Sequence, residues 1–189
     1  IIHQQAAQMT GIIRQLLDFA RRSAPSLTRV ELGQAAEQAR TILRPLVDKA
    51  KCTLTVETRE PVAVACDPNQ LQQVLANLVI NAVQAMPSGG AVTLVVDRCQ
   101  ATPPADVGGA EGAFARLAVR DTGPGIPPDD LPHLFEPFFT TKPVGEGHGL
   151  GLPVAWGILR DHGGWIAVDT AAGAGSTFTL YLPLERSNA

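Results

Sequence analysis

The chain has no Asp, Glu, Lys or Arg between Asp67 and Asp97, and this long uncharged interval constrains the fold more than any other feature. The apolar spacing within it predicts a helix from Pro68 to about Met86, with Asp67 as its N-cap. Opposite the apolar face runs a stripe of neutral amides: Gln70, Gln73, Asn77, Asn81 and Gln84. Exposed helix faces normally carry charges, so the stripe favours the wall of a polar cavity. The alternative is a helix buried on both sides, with its amides bonded internally.

A second signal follows the predicted strand from Phe114 to Asp121, where the sequence Asp-Thr-Gly-Pro-Gly-Ile begins. Gly123 and Gly125 permit positive φ angles and the close approach of a flat ring. The carboxylate of Asp121 accepts a hydrogen bond from an exocyclic amine, which adenine has where guanine has a carbonyl oxygen. This interpretation favours ATP over GTP. The alternative is an ordinary Asx turn after a strand.

The third signal is the sequence Gly-Glu-Gly-His-Gly-Leu-Gly at residues 145–151, which leads into a predicted helix from about Leu150 to Asp161. Alternating glycines expose backbone N–H groups and a helix N-terminus adds partial positive charge, so phosphates are the expected guests. Lys142 supplies a formal positive charge nearby. The glycine spacing fits neither a P-loop nor a dinucleotide fingerprint. The alternative is a flexible hinge, and a lid over a nucleotide would combine both roles.

The composition excludes several classes of function. The 189 residues carry a formal net charge of −3, which argues against a nucleic-acid or anionic-membrane binder. Three cysteines at unrelated spacings indicate neither a disulfide framework nor a metal knuckle, so we expect a reducing, cytoplasmic compartment. No apolar run is long enough to cross a bilayer. Because the chain begins with Ile1 rather than methionine, we expect a fragment whose parent is free to carry a membrane segment.

The apolar spacing divides the chain into an N-terminal helix and one domain. Steps of four and three from Ile2 to Ala20 form a heptad seam, which predicts a helix that packs on another helix or on a second copy of the chain. Pro25 ends it. The further predicted elements are a strand at 27–32, a helix at 33–51 bent or interrupted at Pro45, paired strands at 52–57 and 62–66, a strand at 91–97, a disordered or variable loop at 101–113, and a closing hairpin of strands at 165–169 and 176–183. Strands and helices do not alternate regularly, so an α+β two-layer sandwich fits better than a doubly wound parallel sheet.

The order of the motifs is more specific than any one of them. The amide-bearing helix is followed by Asp-x-Gly-x-Gly, by Leu-Phe-Glu-Pro-Phe-Phe at 134–139 and by the glycine-rich loop. This order resembles the N, G1, F and G2 boxes of sensor histidine kinases of the nitrogen-regulatory type, within the ATPase superfamily of gyrase, MutL and the heat-shock chaperones. The resemblance implies a Bergerat-type ATP-binding fold over residues 31–186, a mixed sheet covered by helices on one face. It also implies a linker at 25–30 and, at 1–24, the C-terminal part of the second helix of the dimerisation and phosphoacceptor bundle.

The resemblance also implies roles for individual residues. Asn77 and Asn81 are the implied catalytic residues beside the phosphates, and Asn81 is the implied Mg²⁺ ligand. Asp121 is the implied reader of adenine. The other implied contacts to ATP are Gly123, Gly125, Ile126, Thr141, Lys142, Gly147, His148, Gly149, Leu150, Gly151, Leu152 and Thr177. Phe138 and Phe139 are expected to pack the lid against the core.

One position separates a kinase from a hydrolase in this superfamily. Its water-splitting members have a glutamate one helical turn before the metal-binding asparagine, whereas this chain has Asn77. A neutral amide does not take a proton from water at neutral pH, so we expect slow hydrolysis and transfer of the γ-phosphoryl group to a histidine. The family's acceptor histidine is followed by an acidic residue, and none of the four histidines of this sequence has that neighbour. The fragment is therefore not expected to phosphorylate itself.

The implied partners are the dimerisation and phosphoacceptor helices of the parent, in a homodimer, and a response regulator whose aspartate takes the phosphoryl group. Neither nucleic acid nor direct membrane contact is expected. Two other functions stay open at this point. One is a nucleotide-sensing module that only binds, and the other, less favoured because of Asn77, is an ATP hydrolase of the chaperone or DNA-repair branch.

Overall fold

The structure is a computed structural model that describes residues 25–142 and 148–184. The N-terminal helix predicted for residues 1–22 lies outside these ranges. Strand β1 (Thr28–Glu31) pairs with β3 (Ala63–Cys66) in an antiparallel ladder. Residues 28–30, which the sequence assigned to a linker, are therefore joined to the domain by strand pairing.

A mixed sheet forms one layer of the described chain. Its strands are β2 (Cys52–Thr58), β4 (Gly90–Ala101), β5 (Gly112–Asp121), β6 (Trp165–Thr170) and β7 (Ser176–Pro183), in the order β2-β4-β5-β7-β6. β2 runs parallel to β4, and the other neighbours are antiparallel, including the predicted closing hairpin. The central strand β5 ends at Asp121, so this carboxylate lies at the end of the sheet's middle strand.

Three α-helices, counted within the described ranges, form the second layer: α1 (Leu32–Lys49), α2 (Pro68–Gln84) and α3 (Gly151–Asp161). The core lies between the layers, where Leu75 and Leu78 of α2 and Leu94 and Leu117 of the sheet are at most 1% exposed. Removing such apolar surface from water is the main force that holds the layers together. The predicted two-layer sandwich, with helices on one face of a mixed sheet, is confirmed. Among the described helices, none combines the length and the apolarity that crossing a bilayer requires.

Glu31 caps the start of α1. Its carboxylate accepts hydrogen bonds from the N–H groups of Gly33 at 3.2 Å and of Gln34 at 2.6 Å. Pro45 lies inside the helix, which continues to Lys49, so of the two predicted alternatives the interruption is wrong and the bend stays a prediction. A proline removes one backbone donor, and the remaining bonds of the helix are sufficient to carry it past this position.

The predicted pairing of the strands at 52–57 and 62–66 is also wrong. β2 joins the edge of the main sheet beside β4, whereas β3 pairs with β1. Residues 52–57 alternate apolar and polar side chains, and β3 alternates buried and less buried ones, but alternation does not identify the partner strand. Pairing is decided by contacts between parts of the chain that are far apart in sequence.

The connection between β4 and β5 is shorter than predicted. Both strands extend further, so the loop covers residues 102–111 instead of 101–113. The Val107 N–H donates to the Pro104 carbonyl oxygen at 2.9 Å, which closes a turn. Arg160 of α3 reaches Asp106, with 3.0 Å between Nη1 and Oδ2. The segment predicted as disordered or variable is therefore anchored to the helical layer.

A histidine joins the beginning of α2 to the end of α3. Asp67, the N-cap of α2, accepts from the N–H groups of Asn69 at 2.9 Å and Gln70 at 3.1 Å. Its own N–H donates to Nε2 of His162, the C-cap of α3, at 3.0 Å. Nδ1 of His162 lies 2.7 Å from the carbonyl oxygen of Ile158, which only accepts, so Nδ1 carries the proton. The neutral imidazole thus links the two helices.

We expect Asp67→Ala to lower the free energy of unfolding by about 1–2 kcal/mol, because the first turn of α2 loses its side-chain acceptor. Asp67→Asn is the matched control, since an asparagine oxygen caps nearly as well and should keep most of the stability. Urea unfolding followed by circular dichroism at pH 7 measures both. Equal losses in the two variants would contradict the capping role.

The same cap predicts a dependence on pH. Hydrogen bonds from the backbone of Ser26, Gln70 and Asn69 lower the pKa of Asp67. A carboxyl group with a lowered folded-state pKa stabilises the fold above its unfolded pKa of about 4, and this contribution is lost as the pH falls through the folded value. The difference in unfolding free energy between wild type and Asp67→Ala should therefore shrink in acid.

Candidate functional site

A cavity of about 480 Å³ lies between α2, the start of α3 and the loop at residues 124–142. Most residues that the sequence predicted as nucleotide contacts line it: Asn77, Asn81, Gly125, Ile126, Thr141, Lys142, His148, Gly149, Leu150, Gly151 and Leu152. The amide-bearing helix and the glycine-rich loop, far apart in sequence, therefore face one space. Asp121, Gly123 and Thr177 are not among the lining residues of the described chain, and Gly147 lies outside it.

The amide stripe of α2 faces the cavity over its C-terminal half. Asn77, Asn81 and Gln84 line the cavity, whereas Gln70 and Gln73 do not. The prediction of a polar cavity wall therefore holds for the later turns of α2 and is wrong for its first turns. The helical period identifies a face, but it does not show how far along the helix the cavity extends.

Asn77 connects the two helices that frame the cavity. Its amide nitrogen donates a hydrogen bond to the carbonyl oxygen of Gly151 at 3.1 Å. A Cβ added to Gly151 would lie 3.7 Å from that of Asn77, so the start of α3 packs directly on α2. Together with the bond from Asp67 to His162, this contact holds α3 to α2 at both ends of α3.

The N-terminus of α3 opens into the cavity without a side-chain cap. Its N-cap is Leu150, whose side chain accepts no hydrogen bond. Gly151, Leu152 and Pro153 form the first turn, and all of them line the cavity. Proline has no N–H, so the first-turn donors are those of Gly151 and Leu152. A helix start with bare N–H groups favours an anion.

Gly149 allows the residues before α3 to pack against the opposite loop. Its φ is 63°, and its carbonyl oxygen accepts from the Phe138 N–H at 2.9 Å. A Cβ at this position would overlap the carbonyl groups of Phe138 and Phe139. The glycine is therefore required by the close approach of two backbone segments as well as by its φ.

The two phenylalanines of the loop are placed differently. Phe139 lines the cavity, and its ring centroid lies 5.5 Å from that of His133. Phe138 is 63% exposed and has a φ of 68°, a left-handed conformation that bulky residues rarely adopt. The prediction that both rings pack the lid against the core is wrong for Phe138.

Lys142 brings a formal positive charge into the cavity wall. Its Nζ donates to Oδ1 of Asn81 at 2.9 Å and to Oε1 of Gln84 at 2.6 Å. Burial lowers the pKa of Lys142. The sequence showed Gln84 as one member of the amide stripe but did not select it as a site residue. Its partner lies 58 positions later, and no local pattern signals such a contact.

Asp121 lies beside the cavity, behind Gly123. It is 5% exposed, and its Oδ1 accepts from the N–H groups of Gly123 at 2.8 Å and Ser176 at 3.1 Å. Burial raises the pKa of Asp121, and these two hydrogen bonds oppose the rise. A Cβ added to Gly123 would lie 2.9 Å from Oδ1 of Asp121 and 3.7 Å from Cβ of Ala85, which lines the cavity. Only a glycine leaves space between the acid and the cavity wall.

The loop at 122–126 is fixed to the turn between β6 and β7. The Ile126 N–H donates to Oγ1 of Thr170 at 3.0 Å. Gly125 has a φ of 77°, and a Cβ there would overlap the carbonyl oxygen of Ala171. This side of the cavity is therefore built on the sheet and has little freedom to move.

Ser176 reaches Asp121 through its backbone N–H. Its side chain is 6% exposed on the core side, where its Oγ lies 3.0 Å from Oγ1 of Thr170. Side chains alternate along β7, so the side chain of Thr177 faces the opposite side of the sheet. Thr177 is not among the cavity-lining residues of the described chain, and its contact to ATP stays a prediction.

We expect Gly149→Ala to displace the backbone of residues 138–139 and to weaken ATP binding about tenfold or more. Gly108→Ala is the matched control: its φ of 72° imposes the same backbone cost, but a Cβ there meets no atom within 4 Å. Both variants should lose about 1 kcal/mol of stability from the positive φ. Calorimetric titration with ATP measures the difference, and equal affinities in the two variants would contradict the close approach.

Comparison with known proteins places these features in a family. Residues 66–186 match the family described as "Histidine kinase-, DNA gyrase B-, and HSP90-like ATPase". The sensor kinase CckA of Brucella abortus is 39% identical over 188 residues, which cover 96% of this chain and 20% of CckA. The sensor histidine kinase ZraS of Escherichia coli is 31% identical over 186 residues, or 98% of this chain and 37% of ZraS.

The fold comparison agrees with the sequence comparison. The crystal structure of full-length ShkA in complex with AMPPNP has a TM-score of 0.78 at 26% identity, covering 98% of this chain and 38% of that chain. This chain spans about 20% of CckA and 37% of ZraS, so it corresponds to one part of those kinases. The family is one of ATPase domains, which implies ATP as the nucleotide. The matched region contains α2, α3 and both glycine motifs. Since it covers more than half of the chain, the chain belongs to the histidine kinase-, DNA gyrase B- and HSP90-like ATPase family.

Proposed function

We propose that this chain is the ATP-binding catalytic module of a two-component sensor histidine kinase. It binds Mg-ATP and transfers the γ-phosphoryl group to a histidine on a dimerisation and phosphoacceptor helix. The observation that supports this most strongly is a single cavity lined by the amides of α2, the uncapped N-terminus of α3 and the ammonium of Lys142. Neutral amides beside bare N–H groups and one cation suit a ligand whose negative charge is confined to its phosphates.

The adenine end of ATP is assigned to the side of the cavity next to Asp121. Both backbone donors reach Oδ1, so among the contacts of the described chain Oδ2 is the acceptor left for the exocyclic amine. Gly123 keeps the space beside the acid open, and Gly125 and Ile126, which line the cavity, would contact the ring. The Ser176 N–H holds the carboxylate in position, and Thr177 remains a proposed contact to ATP.

The metal end is assigned to Asn81. Its amide oxygen faces the cavity and accepts a hydrogen bond from a cation, the Lys142 ammonium, which supports its fit as a Mg²⁺ ligand. Mg²⁺ takes oxygen ligands and usually shares them between protein, water and substrate phosphates. When bound, it neutralises phosphate charge and orients the γ-phosphoryl group. Asn81 holds it from α2, opposite the donors of α3.

The phosphates are assigned to the start of α3, where the Gly151 and Leu152 N–H groups face the cavity. The other proposed contacts on this side are Thr141, Lys142, His148, Gly149, Leu150 and, outside the described residues, Gly147. The described residues of this set come from both edges of the cavity. A triphosphate between them would therefore connect the loop at 138–142 to α3.

Asn77 favours transfer to a histidine over hydrolysis. Its NH₂ group donates to the carbonyl oxygen of Gly151, a bond that a carboxylate at this place does not make. A neutral amide also takes no proton from water, so the attacking water is not activated. In the transfer, the bond from the γ-phosphorus to its bridging oxygen breaks, a phosphorus–nitrogen bond forms on the acceptor histidine, and ADP leaves.

The proposal extends to the parent protein. Residues 1–24 are assigned to the C-terminal part of the second helix of the dimerisation bundle. The linker proposed at 25–30 is shortened to 25–27, because residues 28–30 pair with β3, and the catalytic domain is assigned to residues 28–186. The bundle of a homodimer supplies the acceptor histidine, and a response regulator takes the phosphoryl group onto an aspartate. The activity is cytoplasmic, and the fragment's role involves neither nucleic acid nor direct contact with a membrane.

Transfer in trans tests this function. The purified chain is incubated with Mg²⁺, γ-labelled ATP and a purified acceptor-helix fragment of a sensor histidine kinase. We expect label on the fragment that survives mild base, no label on the chain itself, and release of phosphate far below ordinary turnover of about 10 per second. Asn81→Asp is the inactive control.

Two outcomes would replace the proposal. A chain that binds Mg-ATP but never labels the acceptor fragment is a nucleotide-sensing module. Phosphate release at ordinary enzyme rates, abolished by Asn81→Asp, identifies a hydrolase and would show that the amide at Asn77 does not prevent activation of water.

We expect Asp121→Asn to weaken ATP binding by about 1–3 kcal/mol and to reduce the preference for ATP over GTP, because an NH₂ group in place of Oδ2 faces the adenine amine. Burial raises the pKa of Asp121, so the buried charge opposes folding at neutral pH. Asparagine keeps an acceptor without that charge, and stability at pH 7 should be unchanged or higher.

Calorimetric titration with ATP and GTP, together with urea unfolding, measures both effects. Asp169→Asn is the matched control, since Asp169 is an exposed acid on the same sheet that does not line the cavity. An Asp121→Asn variant with wild-type ATP affinity would remove this residue from the site.

A further inference from the structure

The Lys142 ammonium is bound by two amide oxygens, Oδ1 of Asn81 at 2.9 Å and Oε1 of Gln84 at 2.6 Å. The two amides are three residues apart on α2, so both lie on the face that lines the cavity. We call this pair of oxygens the amide seat. Lys142 belongs to the loop that borders the cavity, so its side chain ties that loop to α2.

One oxygen of the amide seat is the atom that the proposed function gives to the metal. Mg²⁺ binds its oxygens at about 2.0–2.1 Å in nearly ideal octahedral geometry. An ammonium bonded to the same Asn81 oxygen would lie within a few ångströms of the ion, where two positive charges repel strongly in a partly buried site. Lys142 and the metal therefore exclude each other at this oxygen.

We propose that Gln84 is a positioning residue that, together with Asn81, seats the Lys142 ammonium in the metal-free protein, and that Mg²⁺ releases this lysine by taking the Asn81 oxygen. The inference rests on the proposed function for the place of the metal. The released ammonium is then available to the phosphates, which attract it more strongly than neutral amides do. Metal binding and delivery of a positive charge to the nucleotide are thus coupled.

The neutrality of the amide seat makes the exchange possible. Within residues 25–142 and 148–184, Lys142 is held by hydrogen bonds to two neutral amides and forms no ion pair with a carboxylate. A carboxylate at position 84 would attract both cations and would not favour one over the other. The oxygen of Gln84 binds the ammonium without adding a charge that attracts Mg²⁺.

The first measurement follows Lys142 in the protein without ligands. The sequence has three lysines, and Lys49 and Lys51 are exposed, so acetylation read by mass spectrometry reports Lys142 against two internal references. Gln84→Leu removes one oxygen of the seat and should raise the labelling rate of Lys142 about tenfold or more, as expected from losing one hydrogen bond to a charged group. Gln73→Leu, on α2 but outside the cavity, should leave that rate unchanged. An unchanged labelling rate in Gln84→Leu would contradict the claim that Gln84 holds the Lys142 ammonium.

The second measurement is the Mg²⁺ affinity of the ADP-saturated protein, by calorimetric titration. If the lysine competes with the metal, Gln84→Leu should bind Mg²⁺ about tenfold more tightly, because its competitor is held less firmly. An unchanged affinity would overturn the coupling, and a weaker affinity would overturn it and show that Gln84 helps to bind the metal. If the proposed function is wrong, the wild-type protein would bind no ADP, and the coupling would be overturned with it. The labelling rates would still show whether Gln84 and Asn81 hold the Lys142 ammonium.

Discussion

Two hydrogen bonds between α2 and α3 carry the arrangement on which the cavity depends. The Asp67 N–H reaches His162 at the end of α3, and the Asn77 amide reaches Gly151 at its beginning. Since a helix rises about 1.5 Å per residue, the two bonds lie roughly 15 Å apart and resist both sliding and rotation of α3. The amide face of α2 and the N–H groups of α3 are therefore held at a set separation before any ligand arrives.

This constraint divides the cavity into a rigid side and an adaptable side. The loop at 122–126 is bonded to Thr170 and packed on Ala171, so it moves only with the sheet. The loop at 138–142 is held instead by the side chain of Lys142 and by a backbone bond from Phe138 to Gly149. A ligand is thus able to rearrange the second side while the first keeps its shape.

Sequence patterns predicted what local geometry decides and missed what distant contacts decide. The helical period was sufficient to put Asn77 and Asn81 on one polar face. It did not show where the cavity ends along α2, because that depends on the loop at 124–142. No local pattern signals the bond from the Ser176 N–H to Asp121, 55 positions earlier, and alternation did not identify the partners of β2 and β3. The contact between Lys142 and Asn81 joins residues 61 positions apart and has no local signal.

Pro153, the third residue of α3, lowers the number of backbone N–H donors at the start of the helix that lines the cavity. A helix start usually leaves several N–H groups that need acceptors, and a proline contributes none. The start of α3 therefore has fewer donors for water or an anion to satisfy. A phosphate at the proposed place would accept one hydrogen bond fewer from this helix, and so would be held less tightly than at a helix start without proline.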